Sequence, residues 1–284
     1  MVVCIKQVPD TANITAQAMK EDGTVNRAAL PAIVNPEDLN AVEMALSVRE
    51  AHGGRVTVVT MGPPSAAEAL RETLYRGADR VILLTDRRFA AADTLATSYA
   101  LCKAIQQLPR ADIVFCGRQA IDGDTAQIGP QLAEKLGIPQ FTYVEEIIKL
   151  DAKDITVKRS LDRGYQIARG PLPVLITVIG SANYPRPPAV KKLLKCRKCR
   201  TKAELEKEGP DAVESSRQKG LLMEQWDAEQ AGAAIERCGG KGSPTKVKKI
   251  ESVKLVSGEH AKVEPTKEGL AKLVRELISE HILE

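Results

Sequence analysis

The sequence predicts an α/β protein with an open, mainly parallel sheet and helices on both faces. Short apolar runs alternate with helical patterns, at roughly 25–30 residues per unit, through residues 1–140. Glycines end the helical patterns, and polar segments follow the apolar runs. Ligands of such sheets lie beyond the carboxyl ends of the strands. Four loops should therefore meet there: residues 8–10, 61–63, 86–94 and 117–129.

Length and composition exclude several classes of protein. The 284 residues suffice for one large domain, or for one domain with an appendage. A net charge of +4 and an aromatic content of 3% disfavour a nucleic-acid-binding surface. No apolar run approaches the roughly 20 residues of a membrane span, and the start does not resemble a signal peptide. Six scattered cysteines are typical of reduced thiols, so a cytoplasmic protein is expected.

The first half of the chain supplies the strand–helix units. Residues 2–8 predict a strand that Lys6 interrupts, which places one strand end near a polar site or the surface. Residues 11–34 are polar and turn-rich, and their end suggests a short hairpin. Asn35 predicts a helix N-cap, followed by Pro36 in the first turn. Further elements are predicted as strands at 56–60, 80–84 and 111–116 and helices at 36–52, 65–76, 92–107 and 131–136.

The second half differs in pattern. Short strand-like runs at 141–150, 155–159, 165–168 and 174–178 predict an antiparallel extension of the sheet. The charged residues 201–242 are poor in core positions, and residues 267–283 form a convincing amphipathic helix. These patterns divide the chain into an α/β domain (1–185), a basic stretch (186–200) and a C-terminal arm expected to lie on another subunit (201–284).

The loop at residues 117–130, GRQAIDGDTAQIGP, is the strongest candidate for a binding site. It joins a buried strand to a helix start, where unpaired N–H groups and the helix dipole favour an anion. Pro130 suits the first helical position, so the helix should begin near Gly129 and leave the N–H groups of residues 125–129 free. Asp122 and Asp124 suit turns, caps or ribose contacts better than phosphate contacts. An ordinary capped βα loop is the alternative.

Several stretches resemble the electron-transfer flavoprotein beta subunit. They are VVCIKQVPD, VNPEDLNAVEMAL, VVTMGPPSAAEALRETLYRGADRVILLTD, GRQAIDGDTAQIGPQLAEKLGIPQ and LPVLITV with ANYPRP. The resemblance covers about residues 1–200. It implies an open α/β domain and a C-terminal arm that embraces an alpha subunit.

The resemblance also implies which residues bind an adenine nucleotide. For Cys4 the alternative is a buried thiol that packs as a small apolar residue. The implied positions are Cys4, Asn35, Pro36, Glu37, Asp38, Met61, Gly117, Arg118, Gln119, Ala120, Ile121, Asp122, Gly123, Asp124, Thr125, Ala126, Gln127 and Ile128.

The family has two branches that differ in this nucleotide. In the electron-shuttle branch the beta subunit holds AMP, whereas in the electron-bifurcating branch a second FAD replaces AMP and meets NAD(H). Gly123 and Thr125 resemble the FAD-binding type, and so does the helix start with Asp93, Thr94 and Thr97. The resemblance therefore implies FAD as cofactor and NAD(H) as substrate, with AMP as the alternative. A capped surface helix would explain Asp93–Thr97 equally well.

The bifurcating branch implies a route for electrons and a set of partners. Hydride would pass from NADH to FAD, one electron to the alpha-subunit FAD and a flavin-containing acyl-CoA or similar dehydrogenase, and the other to ferredoxin or flavodoxin. No protein nucleophile and no other catalytic side chain is expected, because the redox chemistry belongs to the flavin. A nucleotide-sensing or ATP-binding protein is a further hypothesis, but the sequence has no G-x-x-x-x-G-K-[ST] motif.

The basic stretch falls where the family has its partner-recognition loop. Val190 stands at the position of the apolar anchor, usually leucine, beside Lys191 and Lys192. A solvated charge run is the alternative. Cys196 and Cys199, with Cys238 downstream, lack the second ligand pair of a zinc or iron–sulfur site, so no metal is expected. Neighbouring cations should lower the pKa values of the cysteines within KCRKCR.

Overall fold

The computed structural model describes residues 1–10, 30–246, 262–280 and 282–283. Its strands are β1 (Val2–Cys4), β2 (Gln7–Pro9), β3 (Ala32–Val34), β4 (Thr57–Met61), β5 (Arg80–Leu84), β6 (Ile113–Gly117), β7 (Gln140–Leu150), β8 (Asp154–Ser160), β9 (Tyr165–Pro171), β10 (Val174–Val178), β11 (Arg200–Thr201) and β12 (Leu222–Trp226). Its α-helices are α1 (Pro36–His52), α2 (Ala67–Arg76), α3 (Thr94–Gln106), α4 (Ile128–Leu136), α5 (Val190–Cys196), α6 (Lys202–Leu205), α7 (Pro210–Gln218), α8 (Gly239–Gly242) and α9 (Lys267–Ser279).

A ten-stranded sheet in the order β11-β12-β5-β4-β1-β6-β10-β7-β8-β9 confirms the predicted fold class. The strands from β11 to β7 pair in parallel, and β8 and β9 add the antiparallel extension. The chain winds outward from β1 in both directions, toward β4 on one side and β6 on the other. The crevice between the carboxyl ends of β1 and β6 is therefore the topological switch point, where such sheets bind ligands.

The position of β10 corrects the prediction. Residues 174–178 were expected in the antiparallel extension, but β10 lies between β6 and β7 and pairs in parallel with both. All of its residues are buried. An uninterrupted apolar run is typical of a parallel strand that is covered on both faces, and this explains the placement.

Helices cover both faces of the sheet. Because side chains alternate along a strand, Val3 and Phe115 pack with α1 and α2, while Val2 and Cys4 pack with α3 and α4. Gly53 and Gly77 end α1 and α2 as predicted, each with positive φ. The result is a three-layer arrangement that holds the strand ends rigidly.

The predicted first strand is divided in two. After β1 the chain leaves the main sheet at Ile5 and Lys6, and β2 pairs in antiparallel fashion with β3 in a separate two-stranded sheet. Most of the polar segment in which a short hairpin was expected, residues 11–29, lies outside the described residues, so that hairpin stays a prediction.

Residues 200–243, expected in the C-terminal arm, add two strands to the main sheet. Strand β12 pairs with β5, and β11 pairs with β12. Leu205, Met223 and Ala228 are buried, although the sequence around them is strongly charged. The few apolar residues of this segment thus cover the edge of the sheet.

A buried arginine fastens this C-terminal segment to the domain. The Arg71 guanidinium on α2 pairs with Glu204 at 2.8 Å and Glu68 at 2.7 Å, and it donates to the Cys199 carbonyl at 3.0 Å. Removal of one partner from such a buried network leaves an uncompensated charge. Residues 200–243 are therefore held by charge as well as by strand pairing.

Helix α9 is different, because it buries none of its residues. Leu270, Val274 and Ile278 are spaced along one side and about half exposed. An amphipathic helix gains most of its stability from packing of this side. Among the described residues, no helix combines the length and the apolar character that crossing a membrane would need.

Candidate nucleotide-binding site

The loop after β6 lies at the switch point. The inner half of the loop, residues 117–121, begins with the last residue of β6, and the outer half, residues 122–129, ends with the first two residues of α4. Gly117 must be glycine, since a Cβ would stand 2.3 Å from the Asp38 Oδ1 atom and 2.8 Å from the Asp38 backbone nitrogen. The start of α1 therefore packs closely against the end of β6.

Three side chains at the start of α1 bind the inner half. The Asn35 Nδ2 atom donates to the Gln119 carbonyl at 2.9 Å, and the Ile121 N–H donates to Asn35 Oδ1 at 3.1 Å. Glu37 accepts from the Gln119 N–H at 3.0 Å and pairs with Arg118 at 3.1 Å. Asn35 occupies the predicted N-cap position, but its side chain makes no capping bond. It holds the loop, so the interpretation of this side chain as a cap was wrong.

Asp38 connects the loop with β1 from a buried position. Its carboxylate accepts the Gly117 N–H at 3.0 Å and the Lys6 N–H at 2.7 Å. Burial raises the pKa of Asp38 to about 7, and hydrogen bonds from Lys6, Asn35 and Gly117 offset only part of that effect. Its carboxylate therefore serves the scaffold and is not exposed to a ligand.

The outer half combines strained backbone with free N–H groups. Asp124 and Ala126 have φ of 46° and 52°, in the left-handed region that non-glycine residues rarely adopt. In the described part of the chain, the N–H groups of residues 125–129 have no hydrogen-bond acceptor. Left-handed residues next to right-handed ones turn successive N–H groups inward, and such concavities bind anions.

The start of α4 differs by one residue from the prediction. The helix begins at Ile128, with Gln127 as N-cap, and Pro130 is the third helical residue. Proline is tolerated there because N–H groups of the first turn have no partner within the helix in any case. Gly129 lies against β10, where a Cβ would approach the Thr177 Cγ2 atom to 2.4 Å.

Both aspartates of the loop have hydrogen-bond partners within the protein, but only Asp122 is paired with a cation in the described chain. Lys6 Nζ contacts both carboxylate oxygens of Asp122, at 2.6 and 2.7 Å. Asp124 accepts from the Gln119 side-chain amide at 3.0 Å. Neither caps α4. Sequence reasoning did not assign Lys6 to the site, although its interruption of an apolar strand was a signal of a nearby polar site.

The start of α3 lies beside the outer half. Thr94 Oγ1 donates to the Gln127 side chain at 2.8 Å, and Gln131 donates to Thr94 at 3.2 Å. Asp93 caps α3 through the Ala96 N–H at 3.0 Å and accepts from the Thr245 hydroxyl at 2.7 Å. Burial acts to raise the pKa of Asp93, but these hydrogen bonds outweigh it and lower that pKa. Of the predicted residues here, Thr94 touches the loop, while Asp93 is engaged by its own helix and by Thr245.

The remaining predicted residues lie at or near this edge. Cys4 in β1 is buried opposite Cys116 in β6, Met61 ends β4, and Thr97 lies in the first turn of α3. Among the described residues, Gly123 has no neighbour within 4 Å of a Cβ position, so packing within them does not require glycine there. Free N–H groups, carboxylates that are hydrogen-bonded within the protein and open space at Gly123 together fit a phosphate-bearing ligand.

The predicted partner-binding residues lie on the short helix α5. Val190 begins this helix and is 73% exposed, followed by Lys191 and Lys192. The preceding segment is fixed to the domain, because Arg186 pairs with Glu43 at 2.8 Å and also contacts Glu50. An exposed apolar side chain is thus presented on a rigid support.

The cysteines of KCRKCR contradict the expected chemistry. Cys196 and Cys199 are both buried. Burial, with the adjacent Cys196 thiol, raises the pKa of Cys199 to about 11, and the nearby cations are too weak to reverse this. The expectation of a lowered pKa was wrong for Cys199 because desolvation dominates. Within the described ranges, no three His, Cys, Asp or Glu side chains are grouped as metal ligands.

Comparison with known proteins identifies the class that this fold and loop define. The family model for the electron transfer flavoprotein domain matches residues 22–211. The chain therefore belongs to the electron transfer flavoprotein family, and its relatives place it with the beta subunits and the FixA proteins.

Three relatives show how close the likeness is. The chain is 43% identical to an electron transfer flavoprotein subunit beta of Clostridium acetobutylicum, over 100% of this chain and 99% of the relative. It is 44% identical to a FixA protein of Azorhizobium caulinodans, over 88% of this chain and 83% of the relative. It is 38% identical to CarD of Acetobacterium woodii, a caffeyl-CoA reductase–Etf complex subunit, over 100% of this chain and 99% of that protein.

Proposed function

We propose that this beta subunit binds FAD at the loop of residues 117–129 and takes part in flavin-based electron bifurcation. With an alpha subunit, it would carry electrons from NADH to a flavin-containing dehydrogenase and to ferredoxin or flavodoxin. The observation that carries the proposal is the run of unpaired N–H groups at residues 125–129. These groups stand at a helix start, where the dipole also favours an anion, and they suit a diphosphate.

One feature supports FAD over AMP. Among the described residues, none fills the space beside Gly123, which a larger ligand can use. A different observation bears on the partner, since the Acetobacterium relative is named as a subunit of a caffeyl-CoA reductase–Etf complex. By analogy, this supports an acyl-CoA-type oxidoreductase as the partner here.

The roles of the chain's own residues follow from the geometry. FAD would supply hydride acceptance and one-electron transfer. Asn35, Glu37 and Asp38 would keep the inner half in place, and residues 125–129 would bind the diphosphate. Thr94 and Gln127 would fix the side of the pocket toward α3. No side chain of the loop is proposed as an acid, a base or a nucleophile.

The alternative is an electron shuttle in which this subunit holds AMP and the only flavin belongs to the alpha subunit. The same N–H groups suit a single phosphate, and burial of Asn35 and Asp38 as loop supports favours neither nucleotide. Electrons would then pass from dehydrogenases through the alpha-subunit FAD.

Two exposed apolar surfaces support the proposed partners. The side of α9 formed by Leu270, Val274 and Ile278 is suited to packing on the alpha subunit. Val190, with Lys191 and Lys192, is suited to anchor a dehydrogenase through an apolar contact surrounded by cations.

Nucleotide counting on the purified heterodimer tests the proposal. Release of bound nucleotides by denaturation, followed by chromatographic quantification, should give two FAD per heterodimer. One FAD and one AMP would establish the shuttle instead. A heterodimer without a nucleotide on the beta subunit would refute both. NADH should also reduce the FAD of the bifurcating form, which a flavin absorbance titration measures directly.

A further inference from the structure

Lys6 is placed where the sheet divides, directly after the central strand β1. Its ammonium contacts both oxygens of Asp122, at 2.6 and 2.7 Å, and its backbone N–H donates to Asp38 at 2.7 Å. The Lys6 side chain is 49% exposed. This residue therefore joins the outer half of the loop to the scaffold while remaining accessible to solvent.

The outer half presents an electrostatic conflict. Its free N–H groups favour an anion, but Asp122 and Asp124 carry carboxylates into the same segment. Asp124 is bound by a neutral amide, that of Gln119. Among the described residues, Lys6 is the cation that pairs with Asp122. Without it, the uncompensated carboxylate would repel a phosphate by Coulomb interaction across several ångströms.

We propose that Lys6 is a positioning residue that makes this loop receptive to a phosphate-bearing ligand. It does so by neutralising Asp122 and fixing that end of the outer half, and it does not bind the phosphate itself. The inference rests on the proposed nucleotide site and adds to it a determinant of ligand charge. Thr94 fixes the opposite end through Gln127, so two side chains from different strand–helix units hold the free N–H groups between them.

If Lys6 only stabilised the fold, its removal would weaken the binding of charged and uncharged ligands equally. An ion pair that is partly exposed contributes little to folding, so its removal should leave the protein folded. The consequence should instead depend on the charge of the ligand. A neutral nucleoside would bind equally well with or without Lys6, whereas a nucleotide would bind more weakly as its phosphate charge increases.

The experiment measures binding of adenosine, AMP and ADP by titration calorimetry. It uses the full-length chain with its alpha subunit after removal of the nucleotide bound to the beta subunit. Lys6→Met should weaken ADP about tenfold, weaken AMP less and leave adenosine unchanged. Lys6→Arg should keep the wild-type affinities, since it retains the charge. The double variant Lys6→Met with Asp122→Asn should regain most of the lost ADP affinity, because the repelling carboxylate is gone.

Three outcomes would overturn the inference. These are an unchanged ADP affinity in Lys6→Met, an equal loss for adenosine and ADP, or a double variant as weak as Lys6→Met. The last would indicate that Lys6 contacts the ligand directly. Failure of the wild-type protein to bind any adenine nucleotide would refute the proposed function itself. The wild-type titration shows this before any variant is measured.

Discussion

The two halves of the loop after β6 are built in opposite ways. In the inner half, N–H groups of Gly117, Gln119 and Ile121 are bound by side chains of α1. In the outer half, successive N–H groups have no acceptor within the described chain, and two non-glycine residues hold positive φ. The inner half is a support, and the outer half presents the donors that the proposed nucleotide would use.

This difference changes the role expected for several residues that the family resemblance implied as nucleotide-binding. Asn35, Glu37 and Asp38 direct their side chains at the inner half of the loop, so their effect on a nucleotide would be indirect. Preorganised donors bind well because little ordering is left for the ligand to induce. Substitutions in the inner half should therefore change folding first, and those in the outer half should change binding first.

Gly117→Ala should have the largest effect. Its Cβ would overlap the side chain and backbone of Asp38, so we expect a loss of about 3 kcal/mol or more in the free energy of unfolding. Urea denaturation measures it. Gly123→Ala, in the outer half, is the matched control and should change stability by less than about 0.5 kcal/mol. If both substitutions changed the free energy of unfolding equally, the distinction between the inner and outer halves of the loop would be wrong.

Asp38 should make stability depend on pH. Burial raises its pKa in the folded protein to about 7, well above that of an aspartate in the unfolded chain, so the folded form binds the proton more tightly. The contribution is complete below the unfolded pKa and is lost as pH rises through about 7. Relative to Asp38→Asn, the wild-type protein should lose about 3 kcal/mol of unfolding free energy between pH 5 and 8. Parallel pH profiles of the two proteins would refute this.

Asn35→Ala should cost roughly 2 kcal/mol of stability, because two partly buried loop groups lose their partner. Asn40→Ala is a matched control on the same helix, since Asn40 donates to the Asn183 carbonyl at 2.7 Å, away from the loop. Both variants should be destabilised to a similar degree, but only Asn35→Ala should also weaken nucleotide binding. Calorimetric titration measures the nucleotide affinity of both variants. Equal affinities would show that the inner half of the loop does not contribute to binding.

Ala126→Gly should have the smallest effect on folding, less than about 1 kcal/mol, since relief of strain and added chain freedom oppose each other. Nucleotide affinity should nevertheless fall severalfold, because the free N–H groups lose their fixed arrangement. Ala91→Gly is the control. Ala91 also has positive φ, at 58°, but its carbonyl faces Ser243 and not the loop. If Ala126→Gly and Ala91→Gly lower the nucleotide affinity to the same degree, preorganisation of the loop does not explain the loss.

Local signals in the sequence were sufficient for most of the fold. The apolar run at residues 80–84 and the glycine after Arg76 predicted their elements correctly. The position of β10 was missed because an apolar run does not specify its neighbours in a sheet. The strands in residues 200–243 were missed because the composition of this segment is strongly charged, whereas a few apolar residues in the right register suffice to cover an edge strand.

The candidate site was predictable in place but not in detail. Alternation of strands and helices located it beyond the strand ends, and Pro130 located the start of α4 within one residue. Sequence alone could not show that Asn35 binds the loop, since an asparagine before a helix is usually a cap. Nor could it show the contact of Lys6 with Asp122, which are 116 residues apart along the chain. Such contacts follow from strand order, which local patterns do not encode.

Strand β12 also determines how the protein responds to truncation of its C-terminal segment. A chain truncated before Arg200 would uncover the outer edge of β5, whose Ile82, Leu83 and Leu84 are fully buried in the intact protein. Bare edges of this kind recruit strands from other molecules. A truncated form that keeps the whole nucleotide loop would thus be prone to self-association, and aggregation would obscure its binding properties.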